Sequence, residues 1–121
     1  MTIKSASGTM AAHLAGLLVS VSLSTAAFAG GPDLANGQER YEETCIACHG
    51  DNGKGTMPGI PNFASAKGPF AKTDAELTTS IIEGLESPGA DLAMPAMGGN
   101  PDLTEDDVRD LIAYMRKAFT K

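Results

Sequence analysis

Apolar positions near the C-terminus fall on one stripe: Val108, Leu111, Ile112, Met115 and Phe119 lie at offsets of three, four, seven and eleven residues, the spacing of one helix face. Thr104 stands ahead of the stripe as a hydroxyl cap. Glu105, Asp106 and Asp107 suit the positive end of a helix dipole, and Arg116, Lys117 and Lys121 sit near its other end. A second pattern opens at the capping-box sequence Thr73-Asp74-Ala75-Glu76, carries Leu77, Ile81, Ile82 and Leu85, and is expected to stop at Pro88 and Gly89. A third starts near Pro32-Asp33 and carries Leu34, Gly37 or Gln38, Tyr41 and Cys45 along one side, with Glu39, Arg40, Glu42 and Glu43 mostly on the other. Glycine and proline concentrate at 50–69 and 88–101, which predicts loops there. No stretch sustains a two-residue alternation, so the expected fold is all-α, three main helices joined by loops.

Ahead of these patterns the chain begins Met1-Thr2-Ile3-Lys4, continues from Met10 to Ala29 without a carboxylate, and reaches Ala27-Phe28-Ala29. An early cation, an apolar middle and an Ala-x-Ala ending predict a secretory signal peptide over 1–29, cleaved after Ala29. The alternative is a retained membrane anchor, but the density of Ser, Ala and Gly makes a weak span. Residues 30–121 then form one small domain whose apolar core is thin enough to need a cofactor, metal or disulfide. Two cysteines spaced this closely cannot staple a fold.

The domain holds all fifteen carboxylates of the chain and eight of its nine lysines and arginines, a net seven negative charges. Nucleic acid is excluded as a partner. An acidic surface favours encounter with a basic patch on another protein, weakened by salt; solubility alone is the competing explanation.

The chemistry concentrates at Cys45-Ile46-Ala47-Cys48-His49. Two thiols separated by two residues on a helical turn can both reach the vinyl groups of one haem as thioethers, and the adjacent histidine then lies under the iron as an axial ligand. Attachment takes place outside the cytoplasm, in agreement with the export signal. A dithiol redox centre would sit beside βαβ patterns that are absent here, and a structural zinc site needs four ligands where 30–121 offers two cysteines and one histidine. For the opposite face of the iron the thioether candidates are Met57, Met94, Met97 and Met115. Met115 belongs to the apolar stripe and Met57 is close in sequence to His49. Met94 and Met97 lie in the Pro/Gly-rich loop 93–99.

These residues resemble the small class I c-type cytochromes, and the resemblance covers nearly the whole of 30–121. Gly37 and Tyr41 look like the small and aromatic pair that crosses the last helix in that family, here against Leu111 and Tyr114. Pro61-Asn62-Phe63 is similar to the family's Pro-Asn-Leu segment, which implies that the Pro61 carbonyl accepts the ring proton of the axial histidine. Met94-Pro95-Ala96-Met97-Gly98 looks like its Met-Pro-x-x-Gly strap, which implies Met94 as the second iron ligand and Met97 as second choice, because Met97 stands where members often carry an aromatic. The implied fold is a few helices around one covalent haem c with one edge exposed, and Phe63, Phe70, Ile81, Ile82 and Leu111 are the expected pocket walls.

Iron held from both sides has no open position for oxygen or substrate, so electron transfer is the expected function and the protein is not expected to be an enzyme. The reading is a monomeric periplasmic carrier between a dehydrogenase or membrane complex and a terminal acceptor, free of the membrane once the signal is removed. The alternatives are an electron-accepting subunit docked on one dehydrogenase, and a haem sensor or peroxidase-like protein with a labile sixth ligand. Asp51 and Lys54 in the loop after His49 read as a solvated turn.

Overall fold

The computed structural model describes residues 30–88 and 91–120, so the expected signal peptide with its cleavage position lies outside the described residues, as does Gly89. The described chain is helical, and its one β feature is an isolated antiparallel bridge between Leu85 and Met94.

The first helix, α1 (Leu34–Arg40), is capped by Asp33, whose carboxylate accepts from the Ala35 and Asn36 amides. It runs into a π-helical turn at Tyr41–Cys45 and then into α2 (Ile46–His49), so one bent rod delivers the chain to the Cys-x-x-Cys-His run. Gly50, at φ +77°, ends it. Helix α3 (Asp74–Glu83) opens with a reciprocal Thr73/Glu76 capping box, and α4 (Glu105–Phe119) with a reciprocal Thr104/Asp107 box.

Helix α3 is shorter than its apolar pattern suggests. It stops at Gly84, φ +81°, rather than at Pro88 and Gly89, and Leu85 leaves the helix to pair with Met94. A left-handed glycine is a steric stop that apolar spacing does not register.

Helix α1 crosses α4 at Gly37. A Cβ at Gly37 would fall 2.2 Å from the Asp110 carbonyl oxygen and 2.9 Å from the Tyr114 Cβ, so the close approach of the two helices at this point requires a glycine. Tyr41 packs one turn further on, its ring centroid 5.7 Å from that of Tyr114, and its hydroxyl donates to the Gly50 carbonyl at 2.6 Å. The family resemblance placed Leu111 and Tyr114 at this crossing. Tyr114 is there, and the nearest neighbour of Gly37 is the Asp110 backbone.

Asp110 is buried and accepts from the Asp33 amide and the Asn36 side-chain amide, both at 2.9 Å, which ties the start of α1 to the middle of α4. Tyr41, Val108 and Leu111 are almost wholly buried, and each contributes about 1.5–3 kcal/mol from burial. On the other side of α4, Arg116 donates to the carbonyls of Phe70 (3.1 Å) and Lys72 (2.7 Å) and to the Asp74 carboxylate (2.6 Å). That clamp fixes the segment leading into α3.

Candidate haem site

Cys45 closes the π-turn, and Cys48 and His49 follow within α2, so the three side chains issue from one stretch of the bent rod. Both cysteines are free and half-buried. Burial and the neighbouring Cys48 push the Cys45 thiol up to about 11, so it is a neutral thiol at pH 7 and not the activated thiolate of a dithiol redox centre. Among the described residues no cluster of three or more His, Cys, Asp or Glu side chains could hold a metal ion, which removes the donor set for a zinc site.

The His49 ring stacks on Phe63, centroids 4.6 Å apart and planes 20° from parallel. Its Nδ1 is buried and has no hydrogen-bond partner among the described residues, and burial lowers its pKa, which favours the neutral imidazole. A buried, unpaired ring nitrogen costs about 1–3 kcal/mol unless the ring has another use. Pro61 lines the same cleft but does not accept a hydrogen bond from His49; the stack on Phe63 is the contact that sets the ring plane.

The cleft has two adjoining lobes of about 270 and 400 Å³, which share Cys45, His49, Pro61, Leu85, Ser87, Met94 and Gly98. Phe63, Phe70, Ile81 and Leu111 wall the first lobe as expected, whereas Ile82 packs against the core and lines neither. Met115 is buried in the stripe and also reaches the first lobe, and Met57 is exposed and lines neither.

Met94 faces both lobes and Met97 only the first. The strap carrying them is anchored by a pair of 2.9 Å backbone hydrogen bonds between Leu85 and Met94, and further on by the Asn100 side-chain amide, which donates to Thr44 Oγ1 at 3.1 Å. Met97 sits at φ +53°, ψ +26°, ahead of Gly98 and Gly99, which are also left-handed. Sequence reasoning did not identify Leu85 or the Thr44–Asn100 tie. Gly84, a glycine within an apolar helical pattern, is the one local signal that could have shown where the chain turns to meet the strap.

These residues suit an iron porphyrin: an apolar cleft with two thiols and a neutral imidazole from one segment, and a soft thioether from another. A helical domain folded around such a cleft is a c-type cytochrome domain.

Residues 32–115 match the family described as cytochrome c oxidase, cbb3-type, subunit III, and the chain belongs to this family of cytochrome c domains. It is 40% identical over 88 residues to cytochrome c-555 of Prosthecochloris aestuarii, an alignment covering 69% of this chain and 85% of the relative. It is 32% identical over 110 residues to cytochrome c-555 of Chlorobaculum tepidum, covering 88% and 95%. It is also 36% identical over 73 residues to the cbb3-type oxidase subunit FixP of Bradyrhizobium diazoefficiens, covering 60% of this chain and only 23% of that subunit. The protein is thus an electron-transfer cytochrome with covalent haem c. Among the described residues no helix is long and apolar enough to cross a membrane.

Proposed function

We propose that the protein is an exported mono-haem carrier of single electrons, with Cys45 and Cys48 as the thioether sites and His49 and Met94 as the axial ligands. When bound, haem c supplies a one-electron iron couple. Met94 rather than Met97 is the proposed ligand because it faces both lobes and its backbone is pinned by the Leu85 bridge; this position is the observation that carries the reading. His49 contributes a neutral imidazole held flat against Phe63. The apolar walls keep water out, which tunes the potential and limits reorganisation.

Export is supported by the N-terminal pattern. The alignment with the Chlorobaculum tepidum relative also covers a larger share of the chain than residues 30–121 make up, so it reaches into that segment. A docked electron-accepting subunit is the second reading, favoured by the relatives named as oxidase subunits. Salt-resistant co-purification with one partner would select it over a mobile monomer.

The test is an optical spectrum of the purified holoprotein, with carbon monoxide added to the reduced form. Low-spin bands, a weak sulfur-to-iron absorption when oxidised and no carbon monoxide response are expected. Met94→Ala should lose the sulfur band and bind carbon monoxide, and Met97→Ala should do neither. If the two variants exchange these phenotypes, Met97 is the ligand. An unmodified protein that binds carbon monoxide rapidly would instead be a sensor or peroxidase-like protein.

A further inference from the structure

The cleft is largely apolar, and its lysines fall in one lobe. Lys67 and Lys72 are the only lysines or arginines that line it among the described residues, and both belong to the first lobe, together with Ser80. Cys45 and His49 line both lobes and Cys48 only the second, so the lysines share one lobe with part of the attachment sequence and are absent from the lobe that holds both cysteines and the histidine. Lys72 is half-buried, and its ammonium donates to Ser80 Oγ at 3.4 Å. Its carbonyl is held by Arg116, so the backbone position does not depend on the side chain.

Every ion pair among the described residues uses an arginine: Arg40, Arg109 or Arg116. Among the described residues neither cleft lysine makes an ion pair, although the charge of Lys72 is felt at the Glu76 carboxylate. Lys72 is half-buried against an apolar cavity, and an anion from elsewhere would offset the cost of withdrawing it from water, with the exposed Lys67 adding positive charge in the same lobe. Haem has such groups. Its two propionate carboxylates lie on the edge of the porphyrin away from the vinyl groups that the cysteines take.

We infer that Lys72, assisted by Lys67, binds the haem propionates, and that these two positioning residues set the orientation of the porphyrin edge and raise its potential. The inference rests on the haem reading above. A positive charge in this lobe of the cleft opposes the gain of positive charge when the iron is oxidised, so it favours the reduced form.

The experiment is an optical redox titration of the holoprotein and of Lys72→Gln, Lys67→Gln, Lys72→Arg and Lys117→Gln. Lys117 is an exposed lysine that lines neither lobe and controls for loss of one surface charge. Lys72→Gln should shift the redox equilibrium several-fold towards the oxidised form, approaching the ~59 mV that a tenfold change represents for one electron. Lys67→Gln should shift it less and in the same direction, and Lys72→Arg should restore the original value. Shifts for Lys72→Gln and Lys67→Gln no larger than that of Lys117→Gln, with low-spin spectra retained, would overturn the assignment. Absence of a low-spin spectrum in the unmodified protein would instead overturn the ligation reading.

Discussion

At Gly84 the backbone turns at φ +81°, and a Cβ there would fall 2.7 Å from the Met94 carbonyl oxygen and 2.8 Å from the Ala96 amide nitrogen. The residue combines a left-handed conformation with the closest approach of the strap to the end of α3. Gly84→Ala is therefore expected to destabilise the holoprotein by about 1–3 kcal/mol in chemical denaturation and to weaken the sulfur-to-iron absorption, because relieving the clash moves Met94. An unchanged midpoint and spectrum would show that the strap is not seated on this glycine. Asp107 is a second residue whose chemistry is measurable. Hydrogen bonds from the Asn36 amide, and then from Thr104, hold its carboxyl down at about 2, against an ordinary 3.8. A depressed carboxylate stabilises the fold above its ordinary value, and that contribution is lost as pH falls from about 4 through 2. The side chain is 20% exposed, so screening reduces the effect to about 1 kcal/mol. Stability measured against pH should fall less steeply across this window in Asp107→Asn.

At the scale of elements, the site is a matter of how segments are tied to α4. The Asp110 carboxylate holds the N-terminus of α1, and Arg116 holds the segment that leads into α3. Arg116 engages two carbonyls and a carboxylate through separate nitrogens and lies 5.4 Å from the Phe70 ring centroid. An ammonium cannot reproduce that planar fork. Arg116→Lys is expected to cost about 1–2 kcal/mol in denaturation despite keeping the charge, since only part of the donor set can be satisfied. A loss no larger than that of a surface Arg→Lys exchange would mean that the clamp is decorative. Phe70 and Lys72 both line the haem cleft, so the same clamp positions one of its walls.

At the scale of the whole molecule, a net charge of −6 is carried by a small chain, and exposed Glu39 of α1, Glu42 and Glu43 of the turn after it, and Glu105 and Asp106 of α4 contribute to it. Encounter with a basic redox partner should be steered by this field and should slow as ionic strength rises, most steeply at low salt and levelling off once the Debye length falls below about 10 Å. Stopped-flow electron transfer to a cationic and to an anionic cytochrome at several salt concentrations checks the sign. Rates that fall with salt for the cationic partner and rise for the anionic one are expected, and a salt-independent rate for both would leave the acidic surface to solubility.

The local features of this protein are those its sequence determined alone. Cys45-Ile46-Ala47-Cys48-His49 is contiguous, the Thr73/Glu76 and Thr104/Asp107 caps act within four residues, and the stripe of α4 repeats at helical period, so neighbouring side chains suffice to specify each. What required the tertiary structure is whatever one element imposes on another. The apolar pattern of α3 continues through Leu85, yet the approach of the strap ends the helix at Gly84 and turns Leu85 into the partner of Met94. Asp110 reads along the chain as an ordinary polar position and is buried because the capped start of α1 rests on it. Met94 and Met97 are chemically the same ligand three residues apart; their different access to the cleft follows from backbone hydrogen bonds to a segment that no local pattern connects to them.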